Sequence, residues 1–350
     1  ATADDPWSHK YNDNKNAPGF GAYCLAKWEK GDRFEVVSNP DYYRGKPYFE
    51  RVVMLKVPEA GNRVVTLRSG QASLIERVTP KQFNSLRGAK NVKVAGVVGN
   101  ENLFVHMNYK TPPFDNIDLR KAIAYAIPYD AIIRDAYFGD AKKWKGIIPS
   151  SYTDFHEPSM VYDENLDKAK EYLAKAGYPG GKGLEEFKGA FNLSYITEKE
   201  AQLGPVVTLI KSNLAKIGID VQLDPMPQTQ YGDRQLVKKD LPFAVNDQEK
   251  PIAPDAVYGF LLFFVSQEKG GLNTMVNYSN PKVDELYASA LVEGDAAKRT
   301  AQAAEVQEIL ANEVAWIPVL EWKTQWAFND KIKGIKWHPD NSIRWYDLSK

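Results

Sequence analysis

The stretch 201–217, AQLGPVVTLIKSNLAKI, constrains the fold more than any other part of this 350-residue chain. Leu203, Val207, Ile210, Leu214 and Ile217 recur at steps of three and four residues, which puts them on one stripe of an α-helix. Gly218 follows directly, where a residue free to adopt a left-handed conformation ends a helix at least cost. The strand-like run 219–223, IDVQL, then begins at once. A helix that feeds its chain straight into a strand is the building unit of α/β layers, so an α/β fold class is expected.

The same texture fills the middle of the sequence. Leu119, Ile123, Ala126 and Ile127 fall at helical spacing, Pro128 interrupts, and 129–138 resumes with Ile132, Ile133 and Ala136 inward. Residues 163–176 are amphipathic through Leu166, Ala169 and Leu173 and stop at Gly177. Asn280 followed by Pro281 is a cap and first-turn pair that opens a helix to about residue 292, and another is expected over 296–312. The first hundred residues read differently. Runs 23–28 and 33–38 flank a glycine-containing turn as a hairpin, 51–57 is a third strand, 62–69 a short helix closed by Gly70, and 73–76 a short strand. The run 102–108 is β-prone, 316–322 is extended, and the tail from 331 is turn-rich. A β-rich, then helical, then β-rich order describes a chain that leaves one lobe and returns to it. The length also favours two lobes over one. The expected division is 1–103 for the β-rich remainder of lobe I, 104–324 for lobe II, and 325–350 for the return.

Lys plus Arg equals Asp plus Glu at 45 each, so no net field favours nucleic acid or an anionic membrane. Cys24 is the only cysteine, and the four histidines (His9, His106, His156 and His338) are scattered, so neither a disulfide nor a zinc site is expected. No apolar run approaches the roughly 20 residues needed to span a bilayer; 258–265, YGFLLFFV, reads as a buried segment. Residues 1–20 hold no apolar core of a signal peptide. Enzymatic constellations are also missing from the pattern. No serine sits in a G-x-S-x-G elbow, Gly180 to Gly183 lacks the phosphate-loop spacing, and Glu185 and Glu186 are adjacent and therefore solvated. The reading is a non-enzyme with no cofactor and no metal.

Six segments carry a resemblance in order along the chain. They are GFGAYCLAKWEKGDRFEVVSNPDYYRGKP at 19–47, 59–69 followed by GQAS, PPFDNIDLRKAIAYAIPYDAII at 112–133, 167–177, 209–221, and NYSNPKVDELYASA at 277–290. Together they resemble the family 5 extracellular solute-binding proteins, the group of oligopeptide, dipeptide and nickel binders. The resemblance implies a two-lobe periplasmic-binding-protein architecture of type II, cluster C-like, with extended crossings near 102–108 and 322–328. It also implies that the first lobe is incomplete, because members carry a sizeable portion ahead of the glycine-aromatic hairpin.

As function, the resemblance implies capture of a peptide-like or other small polar organic ligand between lobes. A monomeric periplasmic or cell-surface-anchored protein would deliver it to an ABC transporter permease. A metal-complex (nickel-type) or oligosaccharide binder of the same fold is the alternative, and a hydrolase is a more distant one. The segment 241–260 holds the implied site. Asp247 would pair with the ligand's amino terminus, and Val245, Asn246 and Gln248 would extend a β-like ladder to it. A desolvated ammonium needs a fixed carboxylate, which is the physical reason for an aspartate there. Asp255 reads as a helix cap after Pro254, Lys199 as an exposed residue at a helix start, and His106 as a packed hinge histidine. Tyr195, Tyr231, Tyr258 and Tyr278 are candidate aromatic walls, since amphipathic rings suit polar organic guests.

Overall fold

In the computed structural model, residues 3, 4, 6, 19–247, 253–272 and 276–350 are described. The chain divides into two compact units, Ala1–Gly96 with Gln325–Lys350, and Val97–Thr324. Two long strands run from one unit into the other. The fold is α/β.

The first unit opens with an antiparallel three-stranded sheet of β1 (Tyr23–Glu29), β2 (Arg33–Ser38) and β3 (Arg51–Leu55), in that order. The hairpin expected from the glycine-containing turn pairs Tyr23 with Ser38 and Glu29 with Arg33. Helix α1 (Ala60–Arg68), strand β4 (Leu74–Glu76) and helix α2 (Pro80–Leu86) follow. Helix α2 starts with a reciprocal cap: the Thr79 hydroxyl accepts the Gln82 amide, and the Gln82 side chain accepts the Thr79 amide. Val64, Leu67, Ile75, Val78, Phe83, Leu86 and Ala327 form one of this unit's two small cores.

Strand β5 (Val92–Met107) then enters the second unit. Its first half was not legible as a strand, because Gly96 and Gly99 break the β-prone pattern. There follow α3 (Ile117–Ala126), the single turn α4 (Tyr129–Ala131) that widens into a π-turn over Ile132–Ala136, β6 (Ala141–Lys143), α5 (Leu166–Lys175) and β7 (Asn192–Ile196). Next come α6 (Glu200–Ala215), β8 (Gln222–Met226), α7 (Gln228–Gly232), β9 (Phe243–Asn246) and α8 (Ala256–Phe263). Helices α9 (Pro281–Val292) and α10 (Ala296–Asn312) match the expected bounds, and β10 (Ile317–Asn329) leads back to the first unit.

The strand order is β4-β10-β5-β9-β7-β8, with β6 also paired to β10. Strand β7 is parallel to both β8 and β9, while β5 runs antiparallel to β9 with Phe104 opposite Asn246 and Met107 opposite Phe243. Strand β8 begins three residues later than the sequence reading placed it. Ile219 and Val221 are buried but precede the ladder, and Pro225 sits in β8 because that strand is at the sheet's end.

Alternation along β5 sends Leu103, Val105 and Met107 into a core shared with α3, α5 and α6, and Phe104 into a second core with α8, α9 and α10. Helix α8 escaped the periodicity argument because nearly every residue in it is apolar. Buried Asn213 ties the first core together by donating to Ala126 O at 2.9 Å and Glu164 Oε1 at 2.7 Å. In the second, Arg120 donates to Glu313 O at 2.8 Å while its guanidinium lies 4.0 Å from the Tyr109 ring centre.

Candidate functional site

Parallel pairing brings the carboxyl ends of β7, β8 and β9 to one edge of the sheet. Open parallel sheets bind their ligands at such an edge, because the strand-to-helix loops gather there. Strand β7 ends at Ile196, and one 3₁₀ turn, Thr197–Lys199, leads into α6. Strand β9, buried along all four residues, ends at Asn246 and is followed by Asp247.

These two loops meet in an ion pair. Lys199 Nζ lies 2.6 Å from Asp247 Oδ1. The aspartate side chain is 2% exposed and the lysine 27%, so the carboxylate is enclosed and the lysine side chain only partly so. Alternation along β9 turns Asp247 to the face of Phe243 and Val245, which α6 covers. One turn into α6, Gln202 Nε2 lies 3.5 Å from Asp247 Oδ2 and 3.4 Å from the Tyr137 hydroxyl, both at the long limit for hydrogen bonds. Tyr137, at the end of the π-turn, is buried and stacks on Trp322 of β10 with ring centres 5.9 Å apart.

Burial pushes the Asp247 carboxyl above its ordinary range; the charge and hydrogen bond of Lys199 oppose that shift, and the charge of Glu101 on β5 adds to it. Burial likewise raises the Tyr137 phenol well above its usual value. The centre is therefore an enclosed carboxylate, Asp247, paired with Lys199 and bordered by Gln202 and an aromatic pair.

The residues expected from sequence are distributed unevenly around it. Val245, Asn246 and Asp247 are consecutive at the strand end, and Gln248 lies outside the described residues. Tyr231 is buried among Ile196, Met226, Leu241 and Ala244 and donates to Val245 O at 2.9 Å. Tyr195 packs into the first core, and burial with Glu200 alongside pushes its phenol up to about 12. Tyr258 is half-buried on α8, with its amide donated to the Asp255 side chain. Tyr278 stands in the second core, edge-on to Tyr109, and donates to Glu313 Oε2 at 2.6 Å. Asp255 caps α8 and also receives both oxygens' contacts from Arg299 Nη2, at 2.9 and 2.7 Å.

Lys199 departs from the reading as an exposed residue: it stands just ahead of α6, but its ammonium is paired with Asp247. Glu101, Tyr137, Gln202 and Trp322 were not anticipated. A signal for part of this existed, since an aspartate close behind the apolar run Phe243 to Val245 needs a cation if it is buried with that run, and Lys199 with Gln202 offers two polar groups one helical turn apart. Among the described residues, no three His, Cys, Asp or Glu side chains gather to hold a metal ion, and no helix is long and apolar enough to cross a membrane.

Comparison with known proteins gives consistent relatives. The chain is 26% identical over 327 residues to the probable D,D-dipeptide-binding periplasmic protein DdpA of Escherichia coli K12, covering 93% of this chain and 61% of that one. It is 26% identical over 337 residues to the glutathione-binding protein GsiB of the same strain, covering 94% and 64%. The chain thus spans somewhat under two thirds of the length of these relatives. Its fold matches the periplasmic binding protein DppA of Helicobacter pylori, solved with the peptide STSA, with a TM-score of 0.82 at 22% identity over 99% of this chain and 67% of that one. Residues 2–271 match the family model described as bacterial extracellular solute-binding proteins, family 5 Middle, and the chain belongs to that family.

Proposed function

We propose that this protein captures a peptide-like or other small polar organic solute outside the cytoplasm and presents it to the permease of an ABC importer, with no bond made or broken. The observation that carries the reading is the enclosed carboxylate of Asp247, set with Lys199 at the joined carboxyl ends of β7 and β9. A charge held in so little water stabilises nothing that a surface pair would not, and it costs desolvation. Such a group is well placed to orient a polar guest, where fixed charge gives selectivity. The relatives' printed names, D,D-dipeptide-binding and glutathione-binding, point to the same ligand class. Val245 and Asn246 supply backbone at the strand end, and Gln248 continues it in the sequence. The segments 1–103, 104–324 and 325–350 are assigned as remainder of lobe I, lobe II and return to lobe I.

The test is native mass spectrometry of protein purified without denaturation, followed by calorimetry with the small molecules it releases. A retained peptide-sized mass that is bound and released unchanged is the expected result, and Asp247→Ala should weaken its binding by about tenfold or more, roughly 1.4 kcal/mol. Conversion of the retained molecule to a product would replace this reading with an enzymatic one.

A further inference from the structure

We propose that the Lys199 ammonium acts in cis as the counter-ion of Asp247, standing where a guest's ammonium would otherwise have to sit, so that the site admits guests with no free amine. The inference rests on the capture reading above and names the guests it favours: amino-blocked peptides and neutral polar solutes alongside free-amine peptides.

The geometry supports this in three steps. Asp247 has a 2% exposed side chain, so water cannot neutralise it, and a buried carboxylate without a cation is strongly disfavoured. That cation is already supplied within the chain, at 2.6 Å, by the loop following the neighbouring parallel strand. A lysine ammonium and a peptide's terminal ammonium carry the same charge and the same number of N–H donors, so exchanging one for the other at Asp247 changes the electrostatic balance little. A guest amine therefore gains only the difference between two similar contacts.

The two partners are unequal in a way that bears on the exchange. Lys199 is 27% exposed and sits at the end of a single 3₁₀ turn, where it starts α6 without a side-chain cap of its own. Asp247, by contrast, directly follows a strand buried on both faces. With Lys199 removed, the enclosed Asp247 carboxylate would lack the lysine's charge, and the site would then favour a cationic guest.

The experiment uses an equimolar tripeptide library in two forms, with free and with acetylated amino termini, and measures retention by equilibrium dialysis and mass spectrometry. Wild-type protein should retain both forms within about threefold, and Lys199→Met should prefer the free-amine form by about tenfold or more. The double variant K199M/D247N carries neither charge and should lose that preference again; it also serves where K199M alone does not fold. A tenfold free-amine preference in wild type, or its persistence in the double variant, overturns the inference while leaving capture intact. A folded K199M that makes no distinction overturns it equally. Retention of neither form by wild type instead overturns the peptide-capture reading itself.

Discussion

His106 shows what one residue can impose on the pH response of the whole chain. It lies on β5 opposite Ala244, is fully buried, and neither ring nitrogen has a hydrogen-bond partner among the described residues. Burial alone lowers its pKa from 6.5 to about 4. The folded protein therefore keeps the ring neutral at a pH where the unfolded chain protonates it. Stability from this source is complete above pH 6.5 and falls as pH drops towards 4, because the unfolded state binds the extra proton. The shift corresponds to an effect on the order of 3 kcal/mol. Replacing the ring by a neutral side chain, as in His106→Leu, should flatten the loss of Tm between pH 7 and pH 4 relative to wild type. Carboxylates that titrate below pH 5 act equally on both proteins, so an unchanged slope would show that His106 is not the titrating group.

Between elements, the most demanding contact joins the turn after α5 to the turn after α6. Gly181 and Gly218 both have positive φ, at +83° and +89°, and a methyl group on either would run into the other turn's backbone, at Gly218 O and Gly180 O respectively. Gly177 also has positive φ, +94°, but open space around it. The two kinds of glycine separate strain from crowding. Gly177→Ala should cost about 1 kcal/mol from the left-handed conformation, and Gly218→Ala about 3 kcal/mol or more, since displaced backbone adds to the same strain. Urea denaturation of the two variants measures the difference, and equal costs would mean that the turns separate freely. The sequence marked Gly177 and Gly218 alike as helix stops, but only the close approach of the turns at Gly181 and Gly218 makes the second far harder to replace.

Across the whole molecule, the cores differ greatly in extent. The second unit has a large core on each face of its sheet, whereas the first has two smaller ones. In the sheet of β1 to β3, Trp28, Val53 and Leu55 are about half exposed, at 50%, 44% and 54%. Local opening costs least where few apolar groups are buried. Hydrogen exchange should therefore be slowest at the amides of Leu103 to Met107 and in α3 and α6, and fastest in β1 to β3. Protection of β3 equal to that of β9 would contradict this ranking.

Local pattern by itself determined the elements whose faces differ. The stripe from Leu203 to Ile217, the cap at Asn280 and Pro281, the stop at Gly177 and the first hairpin each required only near neighbours in the chain. The α/β class followed, whereas the placing of Asp247 after a strand came from the family resemblance. Where both faces are buried, as in α8, or glycines interrupt, as in β5, periodicity carries no signal. Tertiary structure alone decided what Asp247 meets. Lys199 is 48 residues away in sequence, and the contact exists because β7 and β9 pair in parallel, bringing their following loops to one edge. Strand pairing is a long-range choice made by total burial, so the charge partner of a strand-end carboxylate is not written beside it.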